Sequence, residues 1–273
     1  MKGLISGIKR MEIHDGDGLR TTVFFKGCPL RCLWCHNPES ISFDKQVARF
    51  ADKCIGCGGC HGEKSAEGAE LCPVGAMVAY GEEYIPRELA DRVLKDKLFW
   101  ERGGGGVTLS GGECLAQPEF AAEFARLLFE EGVSVYVDTC GYVRRAALEA
   151  IMPYTDVFLY DLKAIDPAVH KRCTGRDNSL ILDNLRFLSE SGCKIDIRYP
   201  LVVGYNDGEC EAIGRYVREL CGVRRVRVLR YHDLAASRYE ALGLKNTLPP
   251  PNTSEDDVRR AKATLGNIGV NVE

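Results

Sequence analysis

Cysteine is the residue type whose placement in this chain points most directly at chemistry. Three of thirteen cysteines stand in Cys28-Pro-Leu-Arg-Cys32-Leu-Trp-Cys35, a CxxxCxxC run. A structural zinc site or a closed iron–sulfur cluster takes four protein ligands, so three thiolates leave the set one short. On a cuboidal 4Fe–4S cluster that shortfall is one iron open to a substrate, which a low-potential cluster can then supply with an electron. The competing reading is a zinc site completed by His36. Four more cysteines, Cys54, Cys57, Cys60 and Cys72, form a second group. The remaining six (Cys114, Cys140, Cys173, Cys193, Cys210, Cys221) are scattered and read as small buried hydrophobes.

Such residues need elements that bring them to one place. Apolar, β-branched runs at 22–26, 107–110, 133–138, 157–162, 194–201 and 223–230 predict strands. Helical patterns at 86–102, 118–131, 143–152, 167–173, 178–191 and 208–221 lie between them, and another follows at 254–265. In the second of these, Phe120, Phe124, Leu127 and Leu128 recur at helical spacing, with Pro118 before and Gly132 after. Six βα units imply an α/β chain with a parallel sheet, either doubly wound or a partial barrel. The stretch 43–85, rich in Gly, Cys, Glu and Lys, breaks the alternation. It lacks the apolar periodicity to bury a core and reads as a small insert held by metal.

Polar residues end successive strands: Gly111-Gly112-Glu113, Asp138-Thr139-Cys140-Gly141 and Asp161-Leu162-Lys163, with Arg198 and His232 extending the pattern. One charged strand end is ordinarily a solvated surface group, and a lone His is ordinarily structural. Repetition at the C-terminal edge of a parallel sheet, where α/β folds set their sites, points instead to a shared pocket. Lys163 suits a carboxylate, while Asp138, Thr139 and Asp161 offer oxygens to a ligand or a cation. At 273 residues the chain has length for one large domain, and its net charge of −3 counts against a nucleic-acid partner. No apolar run nears the roughly 20 residues of a membrane span, and the N-terminus lacks a secretory apolar core. The chain is expected to be cytoplasmic, with no membrane partner.

CxxxCxxC with Trp34 before its last cysteine resembles the radical S-adenosylmethionine (SAM) superfamily. That resemblance implies a 4Fe–4S cluster on Cys28, Cys32 and Cys35 whose open iron binds SAM and whose electron releases a 5′-deoxyadenosyl radical. It also implies SAM contacts from Trp34, Gly111, Gly112, Glu113, Asp138, Thr139, Asp161, Lys163, Arg198 and His232. The likeness narrows through Ile13-His14-Asp15-Gly16-Asp17-Gly18-Leu19-Arg20, Trp34-Cys35-His36-Asn37-Pro38-Glu39-Ser40, Asp-Thr-x-Gly at 138, Asp-Leu-Lys at 161 and Tyr205-Asn206-Asp207. These resemble the pyruvate formate-lyase-activating enzyme family, whose members abstract hydrogen from a backbone glycine of a glycyl radical enzyme. The family usually has Pro where Asp17 stands, and often Pro where Cys114 stands.

The family likeness implies a partial (β/α)6 TIM-like barrel, residues 1–42 and 86–273, with 43–85 as a ferredoxin-like insert. Cys54, Cys57, Cys60 and the Cys72-Pro73 pair resemble a ferredoxin loop and suffice for a second 4Fe–4S cluster, used as an electron relay or a docking surface. A four-cysteine zinc knuckle is the alternative. A flavodoxin or ferredoxin is the implied electron donor. Other functions weighed are a radical SAM enzyme for a small molecule or peptide, and a non-enzymatic iron–sulfur carrier. The first usually brings a C-terminal extension; the second needs no SAM pocket.

Overall fold

A computed structural model describes the whole chain, Met1–Glu273. Its strands are β1 (Gly3–Glu12), β2 (Arg20–Phe25), β3 (Gln46–Arg49), β4 (Met77–Tyr80), β5 (Glu82–Tyr84), β6 (Gly106–Gly111), β7 (Ser134–Thr139), β8 (Val157–Asp161), β9 (Ile195–Leu201) and β10 (Val223–Arg230). Its helices are α1 (Ala66–Glu70), α2 (Pro86–Val93), α3 (Lys97–Gly103), α4 (Pro118–Glu130), α5 (Arg145–Ile151), α6 (Pro167–Thr174), α7 (Ser179–Glu190), α8 (Cys210–Arg218), α9 (Ala236–Leu242) and α10 (Glu255–Asn267).

Eight strands form one sheet in the order β10-β9-β8-β7-β6-β2-β1-β5. The six strands expected from sequence all form, and from β2 to β10 they run parallel as neighbours in chain order. A doubly wound sheet reverses its order at a switch point. This one does not reverse, so crossovers of one hand lay the helices on one face. In a flat sheet β2 and β10 would stand about 24 Å apart, five spacings of about 4.8 Å. Yet Asp17, just before β2, accepts hydrogen bonds from Tyr136 on β7 at 3.0 Å and from Arg224 on β10 at 2.8 Å. The sheet is therefore curled into a partial barrel.

Strand alternation then sorts the side chains. Val23, Leu109, Val137, Phe158 and Ile197 face outward into a core of 44 buried residues that includes Phe124 on α4, Leu185 on α7 and Ile213 on α8. Inward-facing residues are largely polar, and near the strands' N-terminal ends they plug the barrel. Arg20, 1% exposed, donates to Thr108 Oγ1 and to the carbonyls of Val107 and Ser134, and its guanidinium lies 3.8 Å over the Tyr136 ring. Partial burial works against ionising Asp17, but hydrogen bonds from Arg225, Arg224 and Tyr136 hold its carboxyl well below the usual range. An ionic clamp thus stands where the family's turn ordinarily has Pro.

Three expectations change. Strands β1 and β5 went unread, because β1 is interrupted by Gly7 and gains order only by pairing antiparallel with β2 and β5. The helix expected at 86–102 breaks into α2 and α3 around a 3₁₀ turn at Leu94–Asp96. There Asp96 is buried and accepts from Thr21 Oγ1 at 2.9 Å. The insert expected at 43–85 interrupts the β2–β6 crossover, and its last strand, β5, belongs to the main sheet. What remains is the β3–β4 pair and α1, seated on α9 through Ala48, Phe50 and Tyr80 against Ala241 and Leu242.

Candidate active site

A cavity of about 200 Å³ opens where the parallel strands end. Cys28, Cys32 and Cys35 line it with Trp34, Gly111, Gly112, Asp138, Thr139, Asp161, Lys163 and Arg198. The cysteine loop leaves β2 and is moored at several points. Cys28 N–H donates to Ile41 O at 3.1 Å, Arg31 N–H to Thr174 O at 2.8 Å and Leu33 N–H to Cys173 O at 2.9 Å. Trp34 packs with Cys173, Val202 and Tyr231, which presses the loop onto the barrel mouth. Burial pushes the Cys32 thiol up to about 12 and drives Cys35 up as well. Thiols held together where deprotonation is costly fit a group that stabilises thiolate, as cluster iron does.

His36 has one ring nitrogen engaged outside the cysteine loop. Its Nε2 meets His232 O at 2.9 Å, and its ring stacks on His232 with centroids 4.2 Å apart. No three His, Cys, Asp or Glu side chains in the chain are grouped to share one metal ion. A cuboidal cluster does not require such grouping, since each cysteine binds a different iron.

Below the cysteines lies a charged lattice. Arg198 Nη1 is 3.1 Å from Asp138 Oδ2 and 3.7 Å from Asp15 Oδ1, and its Nε is 3.6 Å from Asp161 Oδ1. Lys163 Nζ holds Asp161 Oδ2 at 2.9 Å, and Ser110 Oγ donates to Asp138 Oδ2 at 2.6 Å. Burial pushes Asp138 up despite Arg198 beside it. Burial also opposes ionising Asp161, but Lys163 and Arg198 outweigh it and hold that carboxyl down. Arg198 Nη1 is buried and ion-paired with Asp138 without a well-aligned hydrogen bond to it.

Two expected site residues lie outside the cavity wall. His232 is exposed, and its neighbour Tyr231 lines the cavity instead. Glu113 is 1% exposed, and its carboxylate accepts Leu115 N–H at 3.1 Å, Cys140 N–H at 2.8 Å and Thr139 O–H at 2.9 and 3.0 Å. Glu113 is in step with outward-facing Leu109, and Gly111, at φ +117°, where only glycine is relaxed, ends the strand before it. Gly112 then passes so close that a Cβ would meet Ser40 O at 2.3 Å and Gly27 O at 2.5 Å. The glycine backbone faces the cavity while the glutamate ties β6 to the ends of β2 and β7.

Sequence reading passed over Asp15, Cys140 and Tyr231, all lining the cavity, and the role of Asn206. Asn206 is buried, donates to Lys163 O at 2.9 Å and Pro200 O at 2.7 Å, and accepts Val202 N–H at 2.8 Å. It joins the ends of β8 and β9. Its signal was present in Tyr205-Asn206-Asp207, read as a family mark rather than a brace.

The insert gathers its own cysteines. Cys54, Cys57, Cys60 and Cys72 line one small cavity of about 20 Å³ with Ile55, Val74 and Met77. Backbone N–H groups of Met77, Val74, Ala76 and Gly75 face the Cys72 sulfur and lower its pKa.

The Radical SAM superfamily profile matches residues 22–217. The trans-4-hydroxy-L-proline dehydratase activating enzyme of Clostridioides difficile is 38% identical over 267 residues, 89% of this chain and 88% of that protein. The choline trimethylamine-lyase activating enzyme of Oleidesulfovibrio alaskensis is 36% identical, covering 97% of this chain and 95% of its own length. The chain belongs to the glycyl radical enzyme activating enzymes of the radical SAM superfamily. The pyruvate formate-lyase 2-activating enzyme of Escherichia coli is 34% identical over 98% of this chain and 91% of its own. A solved domain of a pyruvate-formate lyase-activating enzyme from Bacteroides vulgatus superposes with TM-score 0.52 at 28% identity, over 62% of this chain and 98% of that domain. Streptococcus suis SuiB bound to SAM shares the fold, with TM-score 0.61 at 12% identity over 90% of this chain and 47% of that one.

Family membership makes the chain an enzyme that works with a 4Fe–4S cluster and SAM on a glycyl radical enzyme. No helix is long and apolar enough to cross a membrane.

Proposed function

We propose that Cys28, Cys32 and Cys35 hold the SAM-binding 4Fe–4S cluster and that the strand-end lattice beneath them holds SAM. The observation that carries this reading is the convergence of three half-buried thiols on the cavity that Asp138, Asp161, Lys163 and Arg198 also line. When bound, the cluster supplies the electron that divides SAM into methionine and a 5′-deoxyadenosyl radical, which takes a hydrogen atom from a backbone glycine of the partner enzyme.

The chain's own residues bind and orient. Lys163, kept charged by Asp161 although burial opposes it, presents a fixed cation to a carboxylate. The backbone of Gly111 and Gly112 gives close approach to an amino group, with Glu113 bracing it from behind. Asp138, Thr139 and Asp161 offer oxygens to the cofactor, and Trp34 and Tyr231 wall its apolar side. Asp15 and Arg198 line the same cavity and face each other across it at 3.7 Å.

The insert cysteines hold a second 4Fe–4S cluster in this reading. Cys54 and Cys57 are exposed, as are Ile55 and Val74 around them, so a cluster there lies within reach of a flavodoxin or ferredoxin donor in the cytoplasm. Neither nucleic acid nor membrane enters the reading.

The test uses anaerobically reconstituted protein with SAM and a chemical reductant, measuring 5′-deoxyadenosine. Cys32→Ala is expected to abolish the product, and retained product overturns the cluster assignment. With a partner enzyme whose glycine carries deuterium on Cα, deuterium should appear in the 5′-deoxyadenosine; its absence from product made alongside a partner glycyl radical overturns direct abstraction.

A further inference from the structure

From Ile5 to Glu12, β1 has β2 along one side, where Gly7, Ile8 and Lys9 pair with Phe24, Val23 and Thr22. On its other side β5 covers Gly3, Leu4 and Ile5 and goes no further. At Gly81, φ +104°, the chain comes in from the insert instead of running on beside β1. Alternate N–H and C=O groups of an extended strand point to each of its edges. No other element hydrogen-bonds the backbone of residues 7–11 on the side that β5 leaves. That stretch is an open strand edge.

A cavity of about 300 Å³ lies along this edge, walled by Ser6, Gly7, Ile8 and Lys9. Four successive residues carry side chains of both strand faces, so the space stands beside the edge rather than over one face. A Cβ built on Gly7 meets nothing within 4 Å. Lysine and arginine often guard such edges, but Lys9 Nζ is paired with Glu12 at 2.6 Å and Arg10 Nε with Asp96 at 3.0 Å. In the same cavity buried Glu39 accepts Arg238 Nη1 on Oε1 at 2.9 Å, whereas its Oε2 has no hydrogen-bond partner. Arg238 already balances the charge, so what Oε2 lacks is a neutral donor such as a peptide N–H. Phe24 and Asn37 line this cavity and the cysteine cavity alike, so the two adjoin.

We propose that the open edge at residues 7–9 receives an extended segment of the glycyl radical enzyme, next to its radical glycine, as an added strand. The proposal rests on the reading that this glycine is delivered to the cysteine cavity. Strand addition gives affinity through main-chain hydrogen bonds, with little demand on the side chains of the added segment. A segment so held runs along the wall formed by Phe24 and Asn37, with the cysteine cavity on the other side of that wall. This continuity selects the partner over a second copy of the chain as the occupant.

The probes are the glycyl radical enzyme that gains its radical with this chain, and a synthetic peptide copying the residues around its radical glycine. Hydrogen–deuterium exchange follows the reconstituted wild-type chain with SAM, without reductant and without oxygen. Either probe is expected to slow an alternating set of amides across residues 7–9 about tenfold or more. Methylating the peptide's backbone nitrogens along one edge should weaken binding about tenfold, the scale of a pair of lost hydrogen bonds, and along the other edge less than about threefold. Gly7→Phe, which fills the cavity, should raise the KM for the whole partner about tenfold with kcat within about threefold. Binding that leaves residues 7–9 exchanging freely, or that both methylations weaken alike, overturns the proposal. Those two readings use the wild-type chain and stand whether or not Gly7→Phe folds. An unchanged KM for a folded Gly7→Phe chain overturns it as well. Exchange slowed by raising the chain's own concentration, with no probe present, assigns the edge to a second copy and overturns it. A chain that gives no glycyl radical enzyme its radical sinks the function proposed above, whereas a radical formed without protection at residues 7–9 sinks this proposal alone.

Discussion

Glu113→Ala separates a cofactor ligand from a structural tie. The wild-type carboxylate is 1% exposed and accepts two backbone N–H groups, Leu115 at 3.1 Å and Cys140 at 2.8 Å, besides the Thr139 hydroxyl. A buried donor left without its partner costs about 1–3 kcal/mol. Thr139 can turn its hydroxyl elsewhere, so the two backbone donors set the scale, about 2–6 kcal/mol. Truncation also relieves the burial that disfavours the Glu113 carboxylate, which trims the net loss to about 2–4 kcal/mol. For a chain of this size 1 kcal/mol shifts Tm by about 2–4 °C, giving a fall of roughly 4–16 °C. Calorimetry on the cluster-free protein, kept reduced, reads this directly, because neither SAM nor iron enters. Glu149→Ala, an exposed position on α5, serves as control and should stay within about 0.5 kcal/mol. A side chain that only bound SAM would weaken SAM affinity and leave this Tm alone. If Glu113→Ala falls no further than Glu149→Ala, the carboxylate tie between the ends of β6 and β7 is refuted.

Three other outcomes follow from the same geometry. Cys57→Ser should lower iron from roughly eight to roughly four per chain, as expected for two cuboidal clusters, while SAM cleavage with a chemical reductant persists; unchanged iron would remove the insert's cluster. Asp17→Asn should cost about 1 kcal/mol at pH 7 after allowance for solvent screening of a partly exposed group. Because the folded carboxyl titrates below its unfolded value of about 3.9, that difference is complete above about pH 4 and shrinks as acid is added; urea midpoints that differ as much at pH 3 as at pH 7 would contradict the clamp. Gly112→Ala should prevent loading of the first cluster, since the added methyl meets Ser40 O and Gly27 O, and iron holding at wild-type level would show that the backbone there can give.

The amino-acid sequence by itself determined the parts whose information is local. CxxxCxxC is a spacing, and its three-ligand logic needs no neighbours. The six parallel strands could be read because β-branched, apolar runs alternate with amphipathic helices, and Asp138, Asp161, Lys163 and Arg198 could be foreseen as partners because strand ends of a parallel sheet share an edge. Only tertiary structure decided what the residues at the strand ends meet. Glu113 closes a Gly-Gly-Glu strand end expected to face the cofactor, whereas the folded chain buries its carboxylate among backbone donors. Asp17 meets Arg224 across 207 positions, and Cys140 N–H meets the Glu113 carboxylate across 27. β1 has no pattern of its own and exists because β2 and β5 flank it. Spacing along a chain specifies ligands within one loop, but a contact between distant segments depends on sheet curvature and on the turns at the strand ends.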